Sequence, residues 1–327
     1  MQVGVFGLGN WGTALAQHLA KKDYDVLGWS IEEDVVDSIN SKHVNAKYLS
    51  NIPLSEKIVA TTDLAKVSEC PIYVLVLPAA ALGDVLPKIG DKAGRLVISA
   101  IKGLDTKTYR TPLQCIEEYM PQSRSVVISG PTFAKDVAIQ KPVGIVAASK
   151  DDASALEVAQ MFSSDWMRVY TCNDPLGVEL GGIVKNVIAI AAGVSDGMEL
   201  GDSARAGLVT RGLAEVMRLA EAMGANPQTL AGLSGLGDLV LTATCDNSRN
   251  RTVGLRLGRG EKLEDIIATL GSVAEGVHTA PLVLKLAKDY GVDLPISYHV
   301  NLLLEGKITR SELLKALIVR PLKKEFY

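Results

Sequence analysis

Gln2-Val3-Gly4-Val5-Phe6-Gly7-Leu8-Gly9-Asn10-Trp11-Gly12-Thr13-Ala14-Leu15-Ala16 opens the chain, and its reading decides the fold. A short apolar run ends on the spacing G-x-G-x-x-G, a helical pattern continues to Lys21, and a second β-branched run follows from Asp25 to Trp29. The spacing alone is weak evidence, because a plain strand-to-helix turn also favours glycine. Its place between a strand and a helix inside one βαβ unit gives it chemical meaning. Gly7 permits the tight turn, Gly9 lets backbone approach a pyrophosphate, and Gly12 allows close helix packing, while the helix N-terminus presents N–H groups and partial positive charge. A dinucleotide is the expected ligand.

Working outward, further β-type runs lie at Ile72 to Leu77, Leu96 to Ala100, Ser125 to Ser129, Val143 to Ala148 and Met167 to Tyr170, each separated by helical patterns. Alternation of this kind predicts an α/β Rossmann domain, a doubly wound and mainly parallel sheet buried on both faces. After Asn173-Asp174-Pro175 strand signals almost vanish and Ala/Leu/Gly-rich helical segments take over. The expected division is therefore a dinucleotide-binding domain over 1–174 and an all-helical substrate domain over 175–327. A length of 327 residues agrees with two cores better than with one. Caps are legible as well: Thr309 with Glu312 has capping-box spacing, and Asn226 precedes Pro227 at a helix start.

Several function classes recede on composition. A net charge of -3 is not the footprint of a nucleic-acid binder, so anion binding is expected to be local. Cys70, Cys115, Cys172 and Cys245 stand alone, without CxxC pairs or His at ligand spacing, which suggests neither disulfides nor a metal and fits a reducing cytoplasm. No Lys or Arg precedes Lys21, the wrong layout for a secretory signal, and the apolar run from Ile183 to Val194 is interrupted by Lys185 and Asn186, so no membrane insertion is expected.

Cofactor choice turns on the end of the second strand. Glu32 lies about 20 residues beyond the last glycine, where an acid bonds the ribose 2′-hydroxyl of NAD, and no Arg or Lys lies in this loop to meet the 2′-phosphate of NADP. Ser30 and Glu33 also have capping-box spacing, so these acids serve helix capping in the competing reading. NAD is favoured over NADP.

One charge is set among apolar and small residues in Gly181-Gly182-Ile183-Val184-Lys185-Asn186-Val187-Ile188-Ala189. Val178, Gly182, Lys185, Ala189 and Ala192 share a helical face, which would leave room beside the ammonium. Lysine serves as general acid or base in carbonyl reduction, where a proton must reach the developing alkoxide. A lysine snorkelling from an amphipathic helix is the equally open alternative.

These segments, together with Ile101-Lys102-Gly103-Leu104, Ser129-Gly130-Pro131-Thr132-Phe133-Ala134, Gly235-Leu236-Gly237-Asp238-Leu239, Ser248-Arg249-Asn250-Arg251 and Val273-Ala274-Glu275-Gly276, resemble the NAD(P)-dependent glycerol-3-phosphate dehydrogenases in their bacterial-type form over almost the whole chain. The resemblance implies that Lys185 transfers the proton, and that Lys102, Gly130, Thr132, Asp238, Ser248, Arg249 and Asn250 contact a small phosphorylated substrate. It implies cofactor contacts from Asn10, Trp11, Lys102, Ala134, Arg249, Val273 and Glu275. Arg249 offers a bidentate fork for phosphate, and Asp238 an acceptor for the Lys185 ammonium. Competing local readings are a turn for Asp238, a solvated helix start for Arg249, an exposed loop for Lys102 and a cap shared by Ser272 and Glu275.

The same resemblance implies interconversion of dihydroxyacetone phosphate and sn-glycerol 3-phosphate with NAD or NADP, supply of glycerophospholipid precursors, and a cytoplasmic enzyme; a homodimer is the default expectation. Family members commonly carry Arg or His where this chain has Ser30 and Ile31. Two rivals stand beside it: a β-hydroxyacid or ketopantoate-type dehydrogenase of similar build, against which the Ser248-Arg249-Asn250 group argues, and a nucleotide-sensing protein without chemistry.

Overall fold

The computed structural model describes residues 1–270, 274–319 and 324–325. They form two compact units, Met1–Gly182 with Gly232–Ser234, and Ile183–Ala231 with the described residues from Gly235 onward.

The first unit is built on an eight-stranded sheet of order β3-β2-β1-β4-β5-β6-β7-β8. Its strands are β1 (Gln2–Phe6), β2 (Asp25–Trp29), β3 (Ile58–Thr61), β4 (Ile72–Leu75), β5 (Leu96–Ser99), β6 (Arg124–Ser129), β7 (Val143–Ala148) and β8 (Met167–Cys172). Strands β1 to β6 are parallel to one another, and β7 reverses direction against β6. The expected mainly parallel, Rossmann-type sheet is present. Strand β3 was not anticipated: it is a four-residue edge strand between Lys57 and Thr62, too short for alternation to register. Every residue of β4 and β5 is buried. Ile72, Val74, Leu96 and Ile98 enter one apolar layer and Tyr73, Leu75 and Val97 the other, the two-residue period of a strand covered on both faces.

Strand order reverses beside β1, so the loops after β1, β2, β4, β5 and β6 all leave the same sheet edge, where ligands of such sheets bind. Gly7, Glu32, Lys102 and Gly130 belong to those loops.

Helices make up the second unit. The helix Pro175–Gly197 begins in the first unit and continues into the second at Ile183. It is long and apolar enough to cross a membrane by length and composition, but its most apolar window is wholly buried within the protein. Within the second unit it crosses the helix Arg249–Arg259 backbone against backbone. A Cβ on Gly193 would stand 2.1 Å from the Arg251 carbonyl oxygen, and one on Gly254 2.0 Å from that of Ile190; Gly197 and Gly258 are equally confined. This approach fixes the start of the second helix, Ser248 to Asn250, against the segment that carries Lys185.

Two buried carboxyl groups brace helix starts. Glu179 accepts the Leu113 N–H at 2.8 Å, in the first turn of the helix Pro112–Tyr119 that Thr111 and Gln114 cap with a reciprocal box. Glu215 accepts the Ile296 and Ser297 N–H groups at 2.5 and 3.2 Å and the Ser297 hydroxyl at 3.1 Å. Burial raises both acids from 4.5 to about 7, against the opposing pull of these hydrogen bonds. The box expected for Thr309 and Glu312 is formed. The competing Ser30–Glu33 box is not formed: the helix starts at Glu33 with Glu32 at its cap position and no side-chain cap bond.

Gly254→Ala forces a methyl into the helix crossing and should cost about 1–3 kcal/mol by chemical denaturation. As for pH, a folded-state acid raised to about 7 keeps its proton where the unfolded chain, titrating near 4.5, has lost it. Stability should therefore fall as pH rises through that window, and Glu215→Gln should flatten the slope of denaturation midpoint against pH.

Candidate active site

Strand β1 ends at Phe6 and the next residues form the glycine loop. Gly7 has φ +106° and its N–H donates to the Trp29 carbonyl at 3.0 Å, which ties the loop to the end of β2. A Cβ on Gly12 would lie 1.8 Å from the Gly7 carbonyl oxygen, whereas one on Gly9 would meet nothing within 4 Å. The two glycines thus differ as the motif requires: Gly12 closes the turn, and Gly9 leaves open space in front of the helix. That helix, Asn10–Lys21, has Gly9 at its cap and no side-chain cap bond, so its first N–H groups remain for an anion. Asn10 is exposed and Trp11 half-buried at this end. The residues fit a dinucleotide's pyrophosphate.

Asn45, fully buried, donates from Nδ2 to the Leu8 carbonyl at 2.8 Å and to Thr13 Oγ1 at 2.8 Å, fastening a second loop to the first. That loop delivers Lys47 and Tyr48 to Glu32, whose carboxylate accepts from the Tyr48 hydroxyl at 2.8 Å and pairs with the Lys47 ammonium. The lysine's hydrogen bond holds the Glu32 carboxyl below the usual carboxylate range. A cation therefore does stand at the end of β2, contrary to expectation, since it arrives from 15 residues downstream.

Lys102 follows β5, half-buried, with its stem 3.6 Å from where a Gly182 Cβ would be; Ser129 Oγ lies 3.3 Å from the same point. Ser129 Oγ is buried without a hydrogen bond and was not among the candidate residues, although its neighbours Gly130, Thr132 and Ala134 were. Gly130 packs against the Gly144 carbonyl, the Thr132 hydroxyl donates to the Gly130 carbonyl at 3.4 Å, and Ala134 begins a short helix packed on the glycine-loop helix.

In the second unit, Lys185 and Asp238 are 6% and 1% exposed. Their side chains form an ion pair, and the Lys185 ammonium also donates to Thr242 Oγ1 at 3.0 Å. Thr242 in turn donates to the Asp238 carbonyl at 2.6 Å. Snorkelling is ruled out, because the amine does not reach solvent but is anchored at a defined point. Asp238 heads the helix Asp238–Thr244 directly after a π-helical turn, Leu233–Gly237, of the kind found at functional sites. Thr242 was missed, although its i+4 spacing from Asp238 was a usable signal.

Next to Lys185, Asn186 Oδ1 accepts from Asn250 Nδ2 at 2.9 Å, and Asn250 Oδ1 accepts the Gly276 N–H at 2.9 Å. Asn186 Nδ2 donates to Glu275 at 3.4 Å. Ser248 caps its helix by accepting the Arg251 N–H at 3.3 Å. So Ser248 and Asn250 are already engaged in holding helix ends, while Arg249 between them is exposed and makes no ion pair among the described residues. Glu275 is the exposed first residue of the helix Glu275–Asp289, whose cap position is Ala274. Val273 and Ser272 lie outside the described residues.

Two family models match the chain: the NAD-dependent glycerol-3-phosphate dehydrogenase N-terminus over residues 2–155 and the corresponding C-terminus over residues 174–315. The chain belongs to the NAD-dependent glycerol-3-phosphate dehydrogenase family. Similar members of the family include the glycerol-3-phosphate dehydrogenase [NAD(P)+] of Geobacter metallireducens, 44% identical over 98% of both chains, and that of Staphylococcus aureus, 40% identical over 99% of both. The crystal structure of glycerol-3-phosphate dehydrogenase from Coxiella burnetii superposes with a TM-score of 0.94 at 36% identity, covering 98% of this chain and 99% of that one.

For a member of this dehydrogenase family the buried pair is open to test. Asp238→Ala strands the Lys185 ammonium and should cost about 3–5 kcal/mol in unfolding free energy. Adding Lys185→Met should recover much of that loss, which a double-mutant cycle by denaturation measures.

Proposed function

We propose that this chain interconverts dihydroxyacetone phosphate and sn-glycerol 3-phosphate with NAD(P)H or NAD(P)+ as redox partner. The observation that carries the proposal is the buried Lys185 ammonium, held by Asp238 and Thr242 in the unit that also presents the exposed Arg249. The sheet unit, residues 1–174 in the division proposed here, binds the dinucleotide through Gly7, Gly9, Asn10, Trp11 and Gly12, with Ala134 beside them. The helical remainder carries substrate chemistry.

When bound, the nicotinamide supplies hydride to the substrate's carbonyl carbon, or takes it back in the reverse direction. Lys185 gives a proton to the oxygen as it becomes an alkoxide, and its charge stabilises that oxygen before the proton moves. Asp238 keeps the ammonium in one position. Arg249 supplies a planar fork for the phosphate, which a carboxylate substrate would use less fully. Lys102, Gly130 and Thr132 complete the substrate contacts, while Ser248 and Asn250 serve by holding Arg249 in place. Glu275 and Val273 are assigned to the cofactor. The full-length family match supports the phosphorylated substrate over a β-hydroxyacid or ketopantoate. We assign the enzyme to the cytoplasm, as a homodimer feeding glycerophospholipid synthesis.

Loss of NADH absorbance with dihydroxyacetone phosphate, and none with ketopantoate, is the expected result. Lys185→Met should lower turnover on the order of 10²–10⁴-fold while NADH binding, followed by fluorescence, survives. Near-normal turnover in the variant would overturn the role of Lys185.

A further inference from the structure

The last residue of β6 breaks an apolar row. Val127 belongs to a small buried cluster with Val146, Ala148 and Val178, the last of these on the helix Pro175–Gly197. Two residues further along the strand and four further along the helix, steps of about 6.6 Å and about 6 Å, the same faces reach Ser129 and Gly182. There a Cβ on Gly182 would stand 3.3 Å from Ser129 Oγ and 3.6 Å from the stem of Lys102. Two apolar side chains would continue the cluster at this step; the chain places a hydroxyl opposite a glycine instead. Neither choice serves the fold. Ser129 is 7% exposed and its Oγ has no hydrogen bond among the described residues, an arrangement that costs about 1–3 kcal/mol for a buried polar group. Gly182 does not have the positive φ that would call for glycine, and glycine inside a helix is about 1 kcal/mol less favourable than alanine.

We propose that Ser129 is a substrate-contacting residue whose Oγ hydrogen-bonds the hydroxymethyl oxygen of dihydroxyacetone phosphate, and that position 182 is glycine to leave that Oγ open. The inference rests on the reading of the chain as a dehydrogenase of this triose phosphate. A phosphate or carboxylate calls for a cation or several N–H donors, whereas a lone serine hydroxyl, which both donates and accepts, matches another hydroxyl. The place agrees as well. Ser129 ends β6 at the carboxyl edge of the parallel strands, where ligands of such sheets bind, and shares its surroundings with Lys102. Lys185 follows Gly182 by three residues on the same helix, the spacing that puts two positions on one face. The two ends of the ketone differ in bearing a hydroxyl or a phosphate. Holding both presents one face of the carbonyl to the hydride, as a single enantiomer of the product requires.

The test compares dihydroxyacetone phosphate with the analogue that carries methyl in place of its hydroxymethyl group, by NADH absorbance, in the full-length protein. The unmodified chain should favour dihydroxyacetone phosphate by at least about 10²-fold in kcat/KM, because the analogue leaves the site's own hydroxyl unpaired. Ser129→Ala should narrow that preference about ten-fold, with the loss falling on dihydroxyacetone phosphate. NADH binding and the denaturation midpoint should hold, since the substitution removes no internal hydrogen bond. Equal losses on the two ketones, or no loss on either, overturn the proposal; a lower midpoint in Ser129→Ala, which reports a hydroxyl serving the fold, overturns it too. If the unmodified chain turns over neither ketone, the functional reading fails and this inference falls with it. Normal turnover of dihydroxyacetone phosphate with an unmoved ratio overturns the inference alone.

Discussion

A lysine ammonium held out of water is the constraint on which the helical unit is organised. Burying an unpaired cation costs several kcal/mol, so Lys185 can sit at 6% exposure only if an anion is brought to it with good geometry. The chain meets that demand from 53 residues away with Asp238, and steadies the pair through Thr242. Replacing such a pair by apolar residues is often neutral or stabilising, so stability alone gives no reason to keep it. The proton-donor role proposed for Lys185 does.

The helix crossing supplies the second half of that arrangement. Because Gly193 and Gly254 let two backbones touch, the start of the helix Arg249–Arg259 is fixed to the lysine helix without long side chains between them. Asn250 then bridges Asn186 to the Gly276 N–H, and a Cβ on Gly276 would lie 2.7 Å from the Asn186 carbonyl oxygen. Three helix segments are joined at one buried amide. Lys185 and Asn186, adjacent in sequence, thus anchor two networks: one holds a buried charge against Asp238, the other ties together the helix ends on either side of Arg249.

Much of this was legible in the sequence, for reasons that can be named. The glycine loop carries its geometry in its spacing, because only glycine tolerates φ +106° at Gly7 and a carbonyl 1.8 Å from the Cβ site of Gly12. Strands β4 and β5 announced themselves as continuous apolar runs because both their faces are covered. Lys185 stood out as a lone charge in an apolar helix. What escaped is equally physical. Edge strand β3 has too few residues for periodicity to speak. Ser248 and Asn250 are polar residues near an arginine, and nothing local distinguishes a side chain that touches a ligand from one that caps a helix. Thr242 was recoverable from its i+4 relation to Asp238, but only once Asp238 was assigned a partner.

Long-range loop contacts are the deepest gap, and the end of β2 makes the reason plain. Read locally, Ser30 to Glu33 contains no cation, and its acids look like helix caps. Asn45 changes that meaning from a distance: its amide joins the Thr13 hydroxyl on the Leu8 carbonyl, and the loop it fastens there carries Lys47 and Tyr48 to Glu32. Hydrogen bonding to the glycine turn therefore sets which charges stand at the end of β2. The same accounting that makes glycine spacing readable, where each buried N–H and C=O goes, cannot be closed from local sequence when its solution comes from another loop.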